Sequence, residues 1–378
     1  MASSNPRGRC VIAGIGHTAF GKLGRSTVSL AVEASRKALE DAGVDKDTVD
    51  AVLVKTPTSA RDFMFGQKLS EAIGLQPKVS FAADQGGAAN MTLINHAVLA
   101  IEAGQCEVAL IAYSDNPRSG SRAVYSRPRG DDAAYGYFST AASYAMIQRR
   151  HMIEFGTTPE TLGAIAVACR KHGAANPNAQ LRKPLTLEGY MASPFLAEPM
   201  RRDDACLVSD GGAALVVMSA RRARELGVAA PVPILGFGEG QTSWEVHLRP
   251  SLTTTQAKAS AAQAFAMAGL APSDIDVAQI YDCFTITALM TLEDYGFCKP
   301  GQGAGFVADG RIELGGDLPI NTAGGLLSET GMPGMQLTLE AVRQLRGTSS
   351  SQVNNVRHAL VSNQGGTMHT HATLILGG

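Results

Sequence analysis

The residues best arranged for chemistry are Asp84-Gln85-Gly86-Gly87-Ala88-Ala89-Asn90. An apolar run, Val79-Ser80-Phe81-Ala82-Ala83, leads into them and a helical pattern, Met91 to Ile101, leads out. Strand, glycine turn and helix start bring backbone N–H groups and the positive end of a helix dipole to one point, which suits an anion or an activated nucleophile. No Cys, Ser, Lys or His stands in the turn. Two further glycine pairs, Gly324-Gly325 and Gly365-Gly366, could add backbone donors to a substrate oxygen. Groups able to move a proton are Asp282 and the pair His369 and His371, which share one strand face if that segment is extended. Each has a plain structural reading as well. Asp282 could cap a helix starting at Phe284, Asn363 could serve only as a turn residue, and either histidine could be an ordinary hydrogen-bonded side chain.

The elements that must hold these groups alternate regularly at first. Cys10 to Gly16 reads as a buried strand, and a helix from about Ser29 to Ala42 stops at Gly43. Ala51–Val54, a helix near Phe65–Ile73, the opening turn with its helix, and Val108–Ala112 follow. Residues 10–113 therefore predict a mostly parallel sheet covered on both faces. Gly14-x-Gly16 has its next glycine at Gly21, too late for a dinucleotide fingerprint. Between about 114 and 205 the chain changes character. Arg118 to Asp132 reads as a long polar loop, helices are expected near Ala141–Phe155 and Pro159–His172, and Pro177, Pro184, Pro194 and Pro199 punctuate the rest. The basic residues there could meet phosphates or form a solvated face.

The first half then recurs. Ile234-Leu235-Gly236-Phe237-Gly238 echoes Ile12-Ala13-Gly14-Ile15-Gly16, and Ala264 to Asp276 echoes Ala38 to Asp50 without a gap. Leu339 to Gly347 and His358 to Val361 match the helix at His96–Gly104 and its strand. Two stacked halves related by a pseudo-twofold are predicted, residues 1–225 and 226–378. Net charge of −1 leaves no footprint for nucleic acid or an anionic membrane. No run reaches the roughly 18 apolar residues of a membrane span, and Met1 to Cys10 has no apolar signal-peptide core. Six scattered cysteines without a CxxC pair predict free thiols and a cytoplasmic location, with no metal bound.

Several segments resemble the thiolase superfamily, in its sterol-carrier-protein-type and lipid-transfer branch. These are Asp210-Gly211-Gly212-Ala213-Ala214, Ile280-Tyr281-Asp282-Cys283-Phe284-Thr285, Asn321-Thr322-Ala323-Gly324-Gly325 through Gly331-Met332-Pro333-Gly334, and Asn363-Gln364-Gly365-Gly366. The resemblance runs the length of the chain in the right order. It implies a five-layer αβαβα fold, an α/β architecture of two duplicated halves, with an inserted loop domain over a tunnel for a coenzyme A thioester substrate. It also implies a homodimer, no bound cofactor and, for the steroid side-chain aldolases of that branch, a small zinc-ribbon/OB-fold partner.

The departures from the family pattern direct the chemistry. The nucleophilic Cys position falls at Gly87, or Gly86 if the alignment slips. The His of the GHP loop falls at about Gly331, the Asn of Asn-Glu-Ala-Phe at Asp282, and the C-terminal Cys at Ser362 or Asn363. His369 and His371 lie near the position of a catalytic His in the sterol-carrier branch. Without a thiolate, ping-pong Claisen chemistry loses its acyl acceptor. Retro-aldol cleavage of a β-hydroxyacyl thioester needs only a base and donors to the enolate oxygen. The resemblance thus implies a cysteine-independent C–C lyase. In that reading Gly86, Gly87, Gly324, Gly325, Asn363, Gly365 and Gly366 hold the thioester, and Asp282, His369 or His371 acts as base. The tyrosines of those aldolases set a second contrast, because one of their positions falls at Gly331. The alternatives are a non-catalytic acyl-thioester carrier and a subunit of a hetero-complex.

Overall fold

The computed structural model describes residues 5–60, 62–123, 134–137, 139–244, 246–331 and 334–378. In chain order the first half contains β1 (Cys10–His17), α1 (Thr27–Ala42), β2 (Ala51–Lys55), α2 (Phe65–Ile73), β3 (Val79–Ala83), α3 (Ala89–Glu102) and β4 (Val108–Asp115). The inserted region follows with α4 (Thr140–Phe155), α5 (Pro159–Ala175), α6 (Leu187–Met191), β5 (Phe195–Ala197) and β6 (Met200–Arg201). Strand β7 (Gly211–Ser219) and α7 (Ala220–Glu225) close the half. The second half runs β8 (Val232–Gln241), α8 (Ala257–Ala268), β9 (Val277–Gln279), α9 (Thr285–Asp294), α10 (Gly303–Val307), α11 (Gly325–Ser328), α12 (Met335–Arg346), β10 (His358–Gly365) and β11 (Thr370–Gly377).

Local chemistry sets the helix ends. Ser26 accepts from the Ser29 N–H at the start of α1, and Gly43 ends it at φ 66°, a left-handed conformation that costs glycine least. Ser139 and Thr158 cap α4 and α5 in the same way, with Pro159 at the first turn of α5.

The large sheet has the order β3-β2-β4-β7-β1-β8-β11-β10-β9. On either side of the β1–β8 junction the order mirrors itself: β1, β7, β4, β2 correspond to β8, β11, β10, β9. The predicted duplication is thus visible in the topology. Strands β3, β2 and β4 pair in parallel, but β7 inserts antiparallel between β4 and β1. The mostly parallel sheet expected over residues 10–113 is thus interrupted by one antiparallel strand, because the partner of β1 comes from beyond the inserted region.

Helices α3 and α12 each touch strands of both halves and form the middle layer; α1 and α2 cover the outer face of one half, α8 that of the other. This is the five-layer arrangement. The glycine pairs that begin each half serve this packing. A Cβ on Gly14 or Gly16 would lie 2.2 or 2.3 Å from the carbonyls of Ala38 or Ala34, and one on Gly236 or Gly238 would lie 2.2 or 2.0 Å from those of Ala264 or Ser260. Gly-x-Gly here lets a helix lie directly on a strand.

Part of the polar loop expected over Arg118–Asp132, residues 124–133, lies outside the described residues, as do Met332 and Pro333. All six cysteines are free thiols. Among the described residues no helix is long and apolar enough to cross a membrane.

Candidate active site

Strand β3 ends at Ala83, Gly86 turns the chain at φ 58°, and α3 starts at Ala89. The side chain of Thr92 donates to Gln85 Oε1 at 2.6 Å, and Thr370 Oγ1 donates to the Gln85 carbonyl at 3.0 Å, which fixes the turn against the β10–β11 hairpin. The two glycine turns then touch. A Cβ on Gly86 would sit 2.8 Å from Gly365 Cα and 2.9 Å from Gly366 N. One on Gly87 would sit 2.3 Å from both the Gln364 carbonyl oxygen and the Tyr281 hydroxyl. Asn363 donates through Nδ2 to the Gly87 carbonyl at 3.3 Å. Gly86, Gly87, Asn363, Gly365 and Gly366, predicted from two separate motifs, therefore converge on one place.

The other predicted residues do not all reach it. Asp282 is fully buried, and its carboxylate accepts from the Leu326 N–H at 2.7 Å and the Leu327 N–H at 3.4 Å. It caps α11 rather than the helix after Phe284, which starts without a side-chain cap. Burial raises its pKa to about 6. Gly325 packs against that carboxylate, 2.2 Å from a would-be Cβ, and Gly324 against Gly173 of α5. Asp282 and Gly325 thus pack together, with Gly324 against α5, and neither glycine has the 86–87 or 365–366 turn among its nearest neighbours.

The histidines part company too. His369 lies in the hairpin turn, outside β11, so the pair does not share a strand face. His371 is on β11, cross-strand from Gln364, with Nε2 at 3.1 Å from the Tyr295 hydroxyl and 3.0 Å from Ser362 Oγ. Thr373, two residues on, extends this network to Ser260 of the outer helix α8. Burial pushes the His371 pKa down to about 3, so the ring is neutral and a weak base. The His369 ring borders Gly366, with Cδ2 at 2.3 Å from a would-be Cβ there, and it meets the Trp244 ring in a tilted contact, centroids 5.3 Å apart.

Two tyrosines complete the surroundings. Tyr144 of α4 donates to the Gly366 carbonyl at 2.9 Å, and its ring meets Phe284 at 4.4 Å. Nothing in the α4 pattern marks it. Tyr281 precedes Asp282 in a segment already prominent in the sequence, and its place beside a reactive turn was the available signal. Cys283 is also near, accepting from Gln364 Nε2 at 3.3 Å, but burial pushes its thiol up to about 12. Cys169 and Cys206 are raised well above the ordinary thiol range for the same reason. The site thus offers backbone amides, a phenol and an imidazole, and no thiolate. Such a set can stabilise charge developing on a carbonyl oxygen and move a proton, but it cannot capture an acyl group on sulfur.

Residues 238–378 match the family model described as thiolase C-terminal domain-like. The chain is similar to a 17-hydroxy-3-oxo-4-pregnene-20-carboxyl-CoA lyase of Mycobacterium tuberculosis, at 39% identity over 98% of this chain and 99% of that protein. It is likewise similar to a steroid side-chain-cleaving aldolase of Thermomonospora curvata, at 38% identity over 98% of each. Among solved structures, an Ltp2-ChsH2(DUF35) aldolase superposes with a TM-score of 0.89 at 38% identity, covering 98% of both chains.

Proposed function

The chain belongs to the thiolase superfamily, in its sterol-carrier-protein-like branch, and from that premise we propose that it is a retro-aldol C–C lyase acting on a β-hydroxyacyl coenzyme A thioester with a steroid-like acyl group. The observation that carries this reading is the occupancy of the nucleophile position. The Tyr281 hydroxyl and the Gln364 carbonyl fill the space that a side chain on Gly87 would need. An acyl-enzyme has no room and no thiolate there, whereas retro-aldol chemistry needs neither.

In the proposed reaction the thioester oxygen lies against the turn of Gly86, Gly87, Gly365 and Gly366, with the Tyr281 hydroxyl as donor and Asn363 holding the Gly87 peptide. His369 takes the proton of the β-hydroxyl group. The Cα–Cβ bond breaks, the β-carbon becomes a carbonyl, and the bonding pair passes into the thioester enolate. The proton returns to Cα, releasing the shortened thioester. No step consumes an oxidant or reductant. Asp282, Gly324, Gly325 and His371 position this machinery from behind without touching the substrate.

The setting we propose is cytoplasmic, with a homodimer and a small zinc-ribbon/OB-fold partner. The homodimer is supported by β3, an edge strand whose Ser80, Phe81 and Ala82 are exposed. The partner is supported by similarity to the Ltp2-ChsH2(DUF35) aldolase.

The test is incubation with a steroid-like β-hydroxyacyl-CoA, alone and with a DUF35-type partner, following the carbonyl product and the shortened thioester in equal amounts. Tyr281→Phe should lower kcat by about a hundredfold or more, the scale of a lost oxyanion donor. Folded protein that cleaves nothing under either condition overturns the proposal.

A further inference from the structure

Arg249 is only 8% exposed, and its hydrogen bonds go to two backbone carbonyls, those of Thr367 and Thr254, each at 3.0 Å. Among the described residues no carboxylate pairs with it. Asp294 acts on it electrostatically but is engaged elsewhere, accepting from the Thr255 N–H at 2.7 Å and from the Thr254 and Thr255 hydroxyls. Joining two segments through their carbonyls needs only a neutral donor. A buried guanidinium costs far more to desolvate and keeps its charge at neutral pH, so the charge itself calls for an account. The turn that Arg249 grips is the one that meets the glycine cradle. Thr367 follows Gly366, whose N lies 2.9 Å from a would-be Cβ on Gly86. Tyr144 donates to the Gly366 carbonyl at 2.9 Å, so side chains hold two successive carbonyls of this turn. A planar trans peptide then points the Thr367 and Met368 N–H groups away from those two donors. Neither N–H makes a hydrogen bond among the described residues, nor does the buried Thr367 hydroxyl.

We propose that Arg249 is a positioning residue for the reaction, its charge held against the hairpin turn to oppose the negative charge that the thioester gains as the carbon–carbon bond breaks. The inference rests on the lyase reading above and adds a residue to it. When the bonding pair passes into the thioester, the cradle gains one negative charge that the bound substrate lacked there. From the guanidinium to the Gly366 N–H is at most about 10 Å along the hydrogen bond and the chain, one residue step being about 3.8 Å. At that distance and an effective dielectric of about 20, a unit charge favours the enolate over the neutral thioester on the order of tenfold. The effect falls on the charged state and not on the ground state, so it belongs to kcat rather than to KM.

Two coenzyme A thioethers that differ only in charge test this without turnover: carboxymethyl-CoA, which sets a carboxylate beside the sulfur, and its amide, carbamoylmethyl-CoA. Wild-type, Arg249→Gln, Arg249→Lys and Asp294→Asn proteins are titrated with each by calorimetry, and the Tm of each protein is recorded. Arg249→Gln should raise the Kd of the anionic ligand by about tenfold and that of the amide by less than about twofold. Arg249→Lys keeps the charge and should keep the preference for the anion. Asp294→Asn removes an opposing charge and should tighten the anionic ligand alone, by about threefold. That arm stands even if Arg249→Gln does not fold. With the β-hydroxyacyl thioester, Arg249→Gln should lower kcat by about tenfold while KM stays within about twofold. An equal loss for both thioethers in Arg249→Gln, the outcome for a merely structural staple, overturns the proposal. So does an Asp294→Asn protein that binds the anionic ligand no more tightly. Wild-type protein that binds neither thioether overturns the thioester reading itself, so the two failures are told apart.

Discussion

Replacing Gly87 by alanine probes the one contact on which the reaction assignment turns. The new Cβ would stand 2.3 Å from the Gln364 carbonyl and 2.3 Å from the Tyr281 hydroxyl. Ordinary contact begins at about 3.5 Å, so each overlap is about 1.2 Å. The carbonyl belongs to strand β10 and cannot rotate away, and Tyr281 is buried. Over-packing of this kind costs about 1–3 kcal/mol. Unfolding entropy of about 2 cal/mol/K per residue, over 378 residues, makes each kcal/mol worth roughly 1 °C in Tm. A fall of about 1–4 °C by scanning calorimetry is expected. The catalytic effect should be larger, because displacing the cradle by about 1 Å costs on the order of a hundredfold in rate. Gly305→Ala is the control: nothing lies within 4 Å of its would-be Cβ, so Tm and turnover should hold. If Gly87→Ala leaves both Tm and kcat/KM where Gly305→Ala leaves them, the turn is not closed by Tyr281 and the argument fails. By the same geometry, Gly87→Cys should gain no thiolase activity.

Three further outcomes follow from buried groups. Burial raises the Glu329 pKa to about 8 from an ordinary 4.5, so the folded state holds a proton that the unfolded chain releases. Stability then falls as pH rises from 4.5 to 8, and Glu329→Gln should flatten that decline, with the largest gain in Tm near pH 8 and little near pH 4.5. His371 has the opposite sign: its folded pKa of about 3 lies below 6.5, so its contribution is present above pH 6.5 and is lost as pH falls toward 3. His371→Gln should soften the acid limb of a Tm–pH curve, at a loss of about 1–3 kcal/mol near pH 7 from the Tyr295 and Ser362 hydrogen bonds. Asp282→Ala strips two N–H groups of α11 of their acceptor and should cost about 1–3 kcal/mol with reduced turnover, whereas Asp282→Asn, keeping one acceptor oxygen, should recover much of both.

Much of the fold was legible because the halves repeat. Gly14 and Gly236, or Gly43 and Gly269, fill the same steric need twice, and the second instance turns a pattern into an inference. The antiparallel insertion of β7 was not legible, since its neighbours β4 and β1 lie about one hundred and two hundred residues before it and carry no local signal of the pairing. In the site, the glycine pairs were recognisable as backbone-exposing turns, and Gly86, Gly87, Gly365 and Gly366 do meet. Histidine spacing misled. His369 and His371 would share a face only on an extended strand, but Met368 takes φ 58° in the turn and breaks the alternation. Asp282 was read as a candidate base, with capping of the helix after Phe284 as the alternative; the helix start it meets is α11, more than forty residues downstream and without a local signal.

The place of β1 in the sheet bears on how the chain can be made. Both its neighbours, β7 (Gly211–Ser219) and β8 (Val232–Gln241), are synthesised about two hundred residues after it. At about 5–20 residues per second, the first strand off the ribosome waits on the order of 10–40 s before either edge can be paired. It is an apolar segment, and an open strand edge invites pairing with other chains. The strand that ends up joining the two halves is therefore the most exposed liability during translation. Yield in the cell should depend on what shelters residues 10–17 in that interval.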